Sequence, residues 1–250
     1  MIQLQGKELA TKIKKSLEGK LNGKKLVILQ ADGQKSESVY VRLKREMGQS
    51  LGVEVVVEFL ETPVKVEEKV KYWNKQPIDG LMVQLPIRGV DNAGTNRIVN
   101  LIDPTKDVDG LGNSGKFSPA VVVAVMEVFQ DALALSAFEF DIFLRVGVVG
   151  AKGVVGEKLV QVLRSAGYVV AEFDKGDDLT KLHDCGVVVS ATGIANLVKP
   201  NMLAESTVCV DLGYPDAEFD QACKSKASYW TSVPGGVGPL TIVCLYKNML

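Results

Sequence analysis

Tyr40 and Lys44 stand four residues apart in YVRLK, so on a helix they share one face. A lysine beside a tyrosine is an acid–base pair once burial depresses the lysine pKa; a solvated amphipathic pair is the competing reading. In DGLMVQLP, Gln84 stands at the C-terminal end of a buried strand, where open parallel sheets take their ligands. A strand-end glutamine facing solvent is the alternative there. KDVDG sets Asp107 and Asp109 in one turn. That is too few oxygens for a metal, and Asx bonding within the turn competes with a ligand role. Gly150-Ala151-Lys152-Gly153-Val154-Val155-Gly156 separates an apolar strand from an amphipathic helix. Such a turn lets a pyrophosphate approach a helix N-terminus, or is simply a tight βα turn. Asp174 closes the next strand about 20 residues on, where an acid bonds a ribose 2′-hydroxyl. Pro234-Gly235-Gly236-Val237-Gly238-Pro239 is a highly specified loop of the kind that lets a ligand reach the backbone.

Composition removes several chemistries. The only histidine in 250 residues is His183, so a multi-histidine zinc site is excluded. His183 sits just before an apolar strand and reads as a surface or helix-end residue, so acid–base work falls to Lys, Tyr, Asp or Glu. No metal motif stands out. Twenty-nine basic and 30 acidic side chains leave a net charge of -1, with no basic footprint for nucleic acid. No apolar run approaches the roughly 18 residues a membrane helix needs, and the first residues carry no signal-peptide core. Cys185, Cys209, Cys223 and Cys244 are widely spaced, which fits reduced core thiols in the cytoplasm.

These residues need elements to hold them, and helical and strand patterns alternate along the chain. Leu9, Ile13 and Leu17 mark a first helix; Lys25–Ala31 reads as a buried strand. A helix over Ser36–Leu51, capped by Ser36 and stopped by Gly52, carries Tyr40 and Lys44. Strands follow at Val53–Glu61 and Asp79–Pro86, with a helix through Val66, Val70 and Trp73 between them and another over Asn92–Ile102. Ser118-Pro119 opens a long helix to Ala134, and Asp131–Asp141 is the expected domain junction. The second half restarts with a strand at Ile142–Val149, the glycine turn and a helix to Ala166. Strands at Tyr168–Asp174, Gly186–Thr192, Thr207–Gly213 and Ala227–Val233 and a helix over Leu240–Leu250 complete it. This alternation predicts an α/β chain of two domains: an N-terminal α/β domain and a Rossmann-like parallel-sheet domain.

YVRLK, DGLMVQLP, DPTKDVDG, the glycine turn and SVPGGVGPLT, in this order and spacing, resemble the bifunctional methylenetetrahydrofolate dehydrogenase/methenyltetrahydrofolate cyclohydrolase family. The resemblance runs from about Leu4 to Leu250. It implies a folate domain over 1–117, with 238–250 packing back on it, an NAD(P)-binding domain over 118–237, and a cleft between them. It implies Lys44 as the central acid–base residue, Tyr40 stacking on the substrate, Gln84 tuning Lys44 and Asp109 accepting pterin N–H groups. Leu85, Pro234, Gly235 and Gly236 would complete the folate site. Gly150, Ala151, Lys152, Val155, Asp174, Gly193, Tyr214 and Thr241 would hold the cofactor. The implied function is oxidation of 5,10-methylene- to 5,10-methenyltetrahydrofolate with NADP or NAD, then hydrolysis to 10-formyltetrahydrofolate. A cytoplasmic homodimer in one-carbon metabolism and purine biosynthesis goes with it, with a small-molecule folate as partner.

The chain departs from the family pattern in three places. The turn reads Gly150-Ala151-Lys152 where the family has Gly-Arg-Ser, so the arginine that clamps a 2′-phosphate is missing. Lys152 and Lys175 carry charge there without its fork, while Asp174 favours NAD, which leaves the cofactor choice open. The segment before the long helix is reduced to Phe117-Ser118-Pro119-Ala120, and the stretch between Gly213 and Tyr229 is trimmed. A cyclohydrolase alone, or a non-catalytic folate- or nucleotide-binding relative, is therefore the alternative.

Overall fold

The computed structural model describes residues 1–113, 116–135 and 144–250. In chain order its elements are β1 (Ile2–Gln3), α1 (Gly6–Leu17), β2 (Lys25–Gln30), α2 (Val39–Ser50), β3 (Glu54–Phe59), α3 (Pro63–Asn74), β4 (Gly80–Gln84), α4 (Asn92–Val99), α5 (Ala120–Ala134), β5 (Arg145–Val149), α6 (Val154–Ser165), β6 (Val169–Phe173), β7 (Val187–Ser190), β8 (Thr207–Asp211), β9 (Ala227–Trp230) and α7 (Val237–Lys247). They form two compact units. One comprises Thr11–Ala120 and Ile242–Leu250, the other Met1–Ala10 and Val121–Thr241.

In the first unit the parallel sheet has the order β3-β2-β4. Its central strand, KLVILQ, is buried from Leu26 to Gln30, as a strand covered on both faces must be. Val27, Leu29, Leu81, Val66, Val70 and Ile98 join the strands to α3 and α4 in one core. The register sets Gln30 beside Gln84 at the C-terminal edge. Gln30 is buried, and its Nε2 donates to the Ser36 carbonyl at 3.1 Å while its Oε1 accepts the Ser38 N–H at 3.1 Å. These bonds hold the loop away from helical geometry as far as Ser38, whose hydroxyl accepts the Val41 N–H at 3.3 Å. Ser38, rather than the expected Ser36, is thus the cap of α2. Thr62 caps α3 and Asp91 caps α4 in the same way.

The second unit is a six-stranded sheet, order β1-β9-β8-β7-β5-β6, with every pairing parallel. From β5 the chain crosses through α6 to β6 on one side and then returns to β7 on the other. The loops after β5 and β7 therefore flank a switch point, where such sheets bind ligands. β7 and β8 are buried along their whole length.

Among the boundaries that differ from the sequence expectation, two lie toward the ends of the chain. Residues 1–10 were expected with the folate domain, but β1 extends the large sheet beside β9, and the Leu4 N–H donates to the Trp230 carbonyl at 2.9 Å. A two-residue strand is too short for alternation to reveal. The last helix begins at Val237, not Leu240, inside the Pro-Gly loop. Residues 136–141 of the expected junction and Ile142 and Phe143 of the expected strand lie outside the described residues.

Candidate active site

α2 presents Tyr40 and Lys44 one turn apart. Lys44 is only 4% exposed, and its Nζ lies 5.6 Å from the Tyr40 ring centroid. In β4, Met82 and Gln84 are two residues apart and so share a face of the strand. Lys44 Nζ donates to Gln84 Oε1 at 2.9 Å and meets Met82 Sδ at 3.7 Å. The Gln84 amide cannot turn freely, because its Nε2 donates to the Leu85 carbonyl at 2.8 Å. That bond aims Oε1 at the lysine. Burial pushes the Lys44 pKa below its ordinary value, and the charge of Asp109 opposes the shift more weakly. Burial likewise raises the Asp109 pKa, with Lys44 in opposition.

KDVDG divides its labour. The Lys106 ammonium donates to the carbonyls of Asn74 at 2.6 Å and Gln76 at 2.7 Å, closing the C-terminus of α3. Asp107 is buried and accepts the N–H groups of Gly110 at 3.0 Å and Gly112 at 2.8 Å. Val108 packs on Gly80, where any Cβ would crowd it. The Asp109 carboxylate accepts no hydrogen bond among the described residues, so it alone of the two acids is left to take a ligand's N–H groups. The Asx-bonded turn expected from the sequence is real, but it belongs to Asp107.

The end of the chain, expected to pack back on this domain, supports the arrangement through bonds that sequence reasoning did not name. The Tyr246 hydroxyl, buried, donates to the Lys44 carbonyl at 2.6 Å. Gly48 leaves the room, since a Cβ there would overlap the Tyr246 hydroxyl. Asn248 Nδ2 donates to the carbonyls of Val108 and Ser118, both at 2.9 Å, and steadies the loop that carries Asp109. An amphipathic pattern reveals a buried face but not a hydroxyl aimed at a distant carbonyl. Tyr246→Phe is expected to cost about 1–2 kcal/mol by leaving that bond unmade. A urea unfolding midpoint equal to that of the parent would refute the tie.

In the second unit, Gly150 has φ +84 and its N–H donates to the Phe173 carbonyl at 2.8 Å. A Cβ on Gly156 would overlap the Gly150 carbonyl, so the turn and the start of α6 must both be glycine. The N-cap of α6 is Gly153, which supplies no side-chain acceptor. Its first-turn N–H groups, Val155 among them, are thus open to an anion, which fits a pyrophosphate. The Asp174 carboxylate accepts the Lys152 N–H at 2.7 Å and the Lys175 N–H at 3.0 Å. Gly193, expected to hold the cofactor, donates its N–H to Glu218 Oε1 at 2.7 Å. Thr241 turns its hydroxyl back on the Val237 carbonyl at 3.3 Å, and Tyr214 is exposed on the loop after β8. Gly235 has φ +101, and a Cβ on Gly6 would overlap the carbonyls of Gly235 and Gly236. Part of the Pro234–Gly236 glycine requirement therefore comes from packing within the unit rather than from a ligand.

Glu218 and Asp211 were not expected at all. Glu218 is 1% exposed. Its Oε2 accepts Ser190 Oγ at 2.5 Å, Thr192 N–H at 2.7 Å and Thr192 Oγ1 at 2.7 Å. Asp211, also buried, accepts the N–H groups of Gly213, Glu218 and Phe219. The two acids fix the loops after β7 and β8. His183 is exposed on a short 3-10 turn, Leu179–Asp184. All four cysteines are buried and in no disulfide, and burial pushes the Cys185 and Cys223 thiols up to about 11. Among the described residues, no three His, Cys, Asp or Glu side chains gather as a metal site, and no helix is long and apolar enough to cross a membrane.

Comparison with known proteins identifies the family of both halves of the chain. Residues 4–109 match the family model for the catalytic domain of tetrahydrofolate dehydrogenase/cyclohydrolase, and residues 135–250 match its NAD(P)-binding domain. The bifunctional protein FolD of Nautilia profundicola is 33% identical over 99% of this chain and 95% of its own length. That alignment spans 283 residues, so the relative carries segments this 250-residue chain lacks. A crystal structure of the bifunctional FolD from Campylobacter jejuni superposes with a TM-score of 0.84 at 26% identity, covering 100% of this chain and 97% of that one. A 5,10-methylenetetrahydrofolate dehydrogenase from Bombyx mori shares the fold, with a TM-score of 0.85 at 24% identity over 100% and 96% of the two chains. With both of its domains matched and a curated relative aligned almost end to end, the chain belongs to the tetrahydrofolate dehydrogenase/cyclohydrolase family.

Proposed function

We propose that this chain oxidises 5,10-methylenetetrahydrofolate to the 5,10-methenyl cation with a nicotinamide dinucleotide and hydrolyses that cation to 10-formyltetrahydrofolate. The observation that carries the reading is Lys44: a buried amine, held by Gln84 and beside Asp109, with its pKa lowered by burial. A neutral amine at this position takes a proton from water as the water oxygen bonds to the methenyl carbon. The resulting Lys44 ammonium then protonates the folate N5. The carbon–N5 bond breaks, the hydroxyl loses its proton to solvent, and the formyl group stays on N10. Asp109 accepts pterin N–H groups, Tyr40 stacks on the substrate, and Leu85 borders it.

When bound, the nicotinamide supplies the acceptor for the hydride that leaves the methylene carbon. The chain contributes the α6 N-terminus, with Gly150, Ala151, Lys152 and Val155 around the pyrophosphate. Gly193 acts through its loop, and Tyr214 and Thr241 line the approach. The same reading makes the protein a cytoplasmic homodimer without nucleic-acid or membrane partners. Four buried cysteines outside any disulfide suit a reducing compartment. The edge strand β6, with Val169 exposed, is available for pairing.

One assay tests the whole. Methylenetetrahydrofolate is supplied with NAD or NADP, and reduced nicotinamide and methenyl absorbance are followed. Turnover with one cofactor and hydrolysis of added methenyltetrahydrofolate are expected. Hydrolysis without reduction would leave a cyclohydrolase only, and neither activity would overturn the reading. Asp109→Ala is expected to raise the folate KM by about tenfold or more, through loss of charge-assisted hydrogen bonds. An unchanged KM would remove Asp109 from the site.

A further inference from the structure

We propose that Asp174 makes this enzyme selective for NAD over NADP, an inference that rests on the dehydrogenase half of the reading above. Asp174 directly follows β6, the second strand of the β5-α6-β6 unit. The turn after β5 is bonded to that strand end: Gly150 and Ala151 donate to the Phe173 carbonyl, and Lys152 donates to Asp174 Oδ2 at 2.7 Å. The carboxylate is therefore locked against the turn that receives the pyrophosphate. This is the position from which an acid reaches an adenosine ribose.

The carboxylate has acceptor capacity to spare. Oδ2 takes one N–H, from Lys152, and Oδ1 takes one, from Lys175. Each oxygen can accept two bonds, so both ribose hydroxyls can still donate to it. A 2′-phosphate at that point offers only acceptors and brings negative charge against negative charge. Asp177 strengthens the exclusion, since its own carboxylate accepts the Asp174 N–H at 2.7 Å and holds a second acid beside the first.

Lys152 and Lys175 do not cancel this field where it matters. They reach Asp174 through backbone N–H groups, and among the described residues neither ammonium forms an ion pair with it. Both side chains are exposed, where a lysine is strongly hydrated and lacks the fork that grips a phosphate. Ala151 is 3% exposed, so an arginine there would have to displace its neighbours. The charge to alter is Asp174.

The test compares kcat/KM for NAD and NADP, together with fluorescence titration of NADH and NADPH, which reads the same preference without turnover. NAD and NADH are expected to be favoured on the order of 100-fold, the scale of a like-charge contact. Asp174→Ser removes the charge and should lower that ratio at least about tenfold, and Asp174→Asn should act in the same direction. Equal binding of the two reduced cofactors, or tighter binding of NADPH by the parent protein, overturns the proposal even if both variants fail to fold. Selective NADH binding without any reduction of NAD would uphold it and count instead against the dehydrogenase reading.

Discussion

Lys44→Met lowers methenyl hydrolysis by about 10²–10⁴-fold, the range a positioned proton-transfer group contributes, and does so without lowering the melting temperature. The two halves of this expectation come from one fact. Lys44 is 4% exposed, and burial is the dominant influence on its pKa, outweighing the attraction of Asp109. A group in that state is costly to keep charged and useful as a base for the same reason. Methionine fills a similar volume beside Met82 and removes the buried amine. Asp109 then loses its opposing charge, and its already raised pKa lets it neutralise instead of standing as an unpaired anion.

The sign of the pH effect follows. In the folded state Lys44 releases its proton below 10.5, whereas in the unfolded chain it holds that proton to the ordinary value. Between the two pKa values the unfolded state binds more protons, so stability rises with pH across that window. Below the folded pKa the protein carries the full cost of the buried ammonium. The methionine variant lacks this slope. Hydrolysis by the parent protein rises through the same depressed pKa as the amine becomes a base. Melting curves from neutral to alkaline pH, set beside the hydrolysis profile, check both. A variant that loses stability along with activity would show a structural lysine, and full retained hydrolysis would refute the base.

Glu218→Ala costs about 2–3 kcal/mol, because the buried Ser190 hydroxyl and three part-buried donors lose a charged acceptor together. Ser190, Thr192 and Gly193 all point at this one carboxylate. Alanine strands the buried Ser190 hydroxyl and leaves the Thr192 and Gly193 donors to water. Glutamine keeps the shape but turns an NH2 toward donors, so it should also destabilise, though less. Part of the cost is returned through Asp211, whose pKa is raised by burial and in smaller part by Glu218. The loop after β7 contains Gly193, so the cofactor KM should rise as well, through loss of loop geometry rather than loss of a contact. Urea unfolding and cofactor titration measure the two effects. Stability within about 1 kcal/mol of the parent would mean that the carboxylate is not what holds this loop.

The difference between these two sites shows what a sequence makes visible. Lys44 and Tyr40 are four apart on one helix, and Met82 and Gln84 two apart on one strand, so local periodicity sets both faces before any packing is known. Glu218 stands in DAEFD, a charged stretch with no periodicity, and reads as a solvated loop. Its partners come from the ends of two strands that only the parallel sheet makes neighbours. Tyr246 is similar: its value lies in a bond to a residue far away in the chain, and the helix pattern that buries it is blind to that. Gly193 shows the converse, a glycine assigned by family position to the cofactor whose N–H the fold gives to Glu218.

From residues alone, then, came the β-α alternation, the two-domain plan, the family and the residue types for the chemistry, because each is written in short-range spacing. Tertiary structure decided which of Asp107 and Asp109 is free to take a ligand. It also decided that Lys44 is buried with its pKa lowered, that β1 completes the larger sheet, and that Asp174 is locked to the glycine turn. Desolvation, hydrogen-bond satisfaction and the meeting of distant strand ends are properties of the packed chain, and no local window contains them.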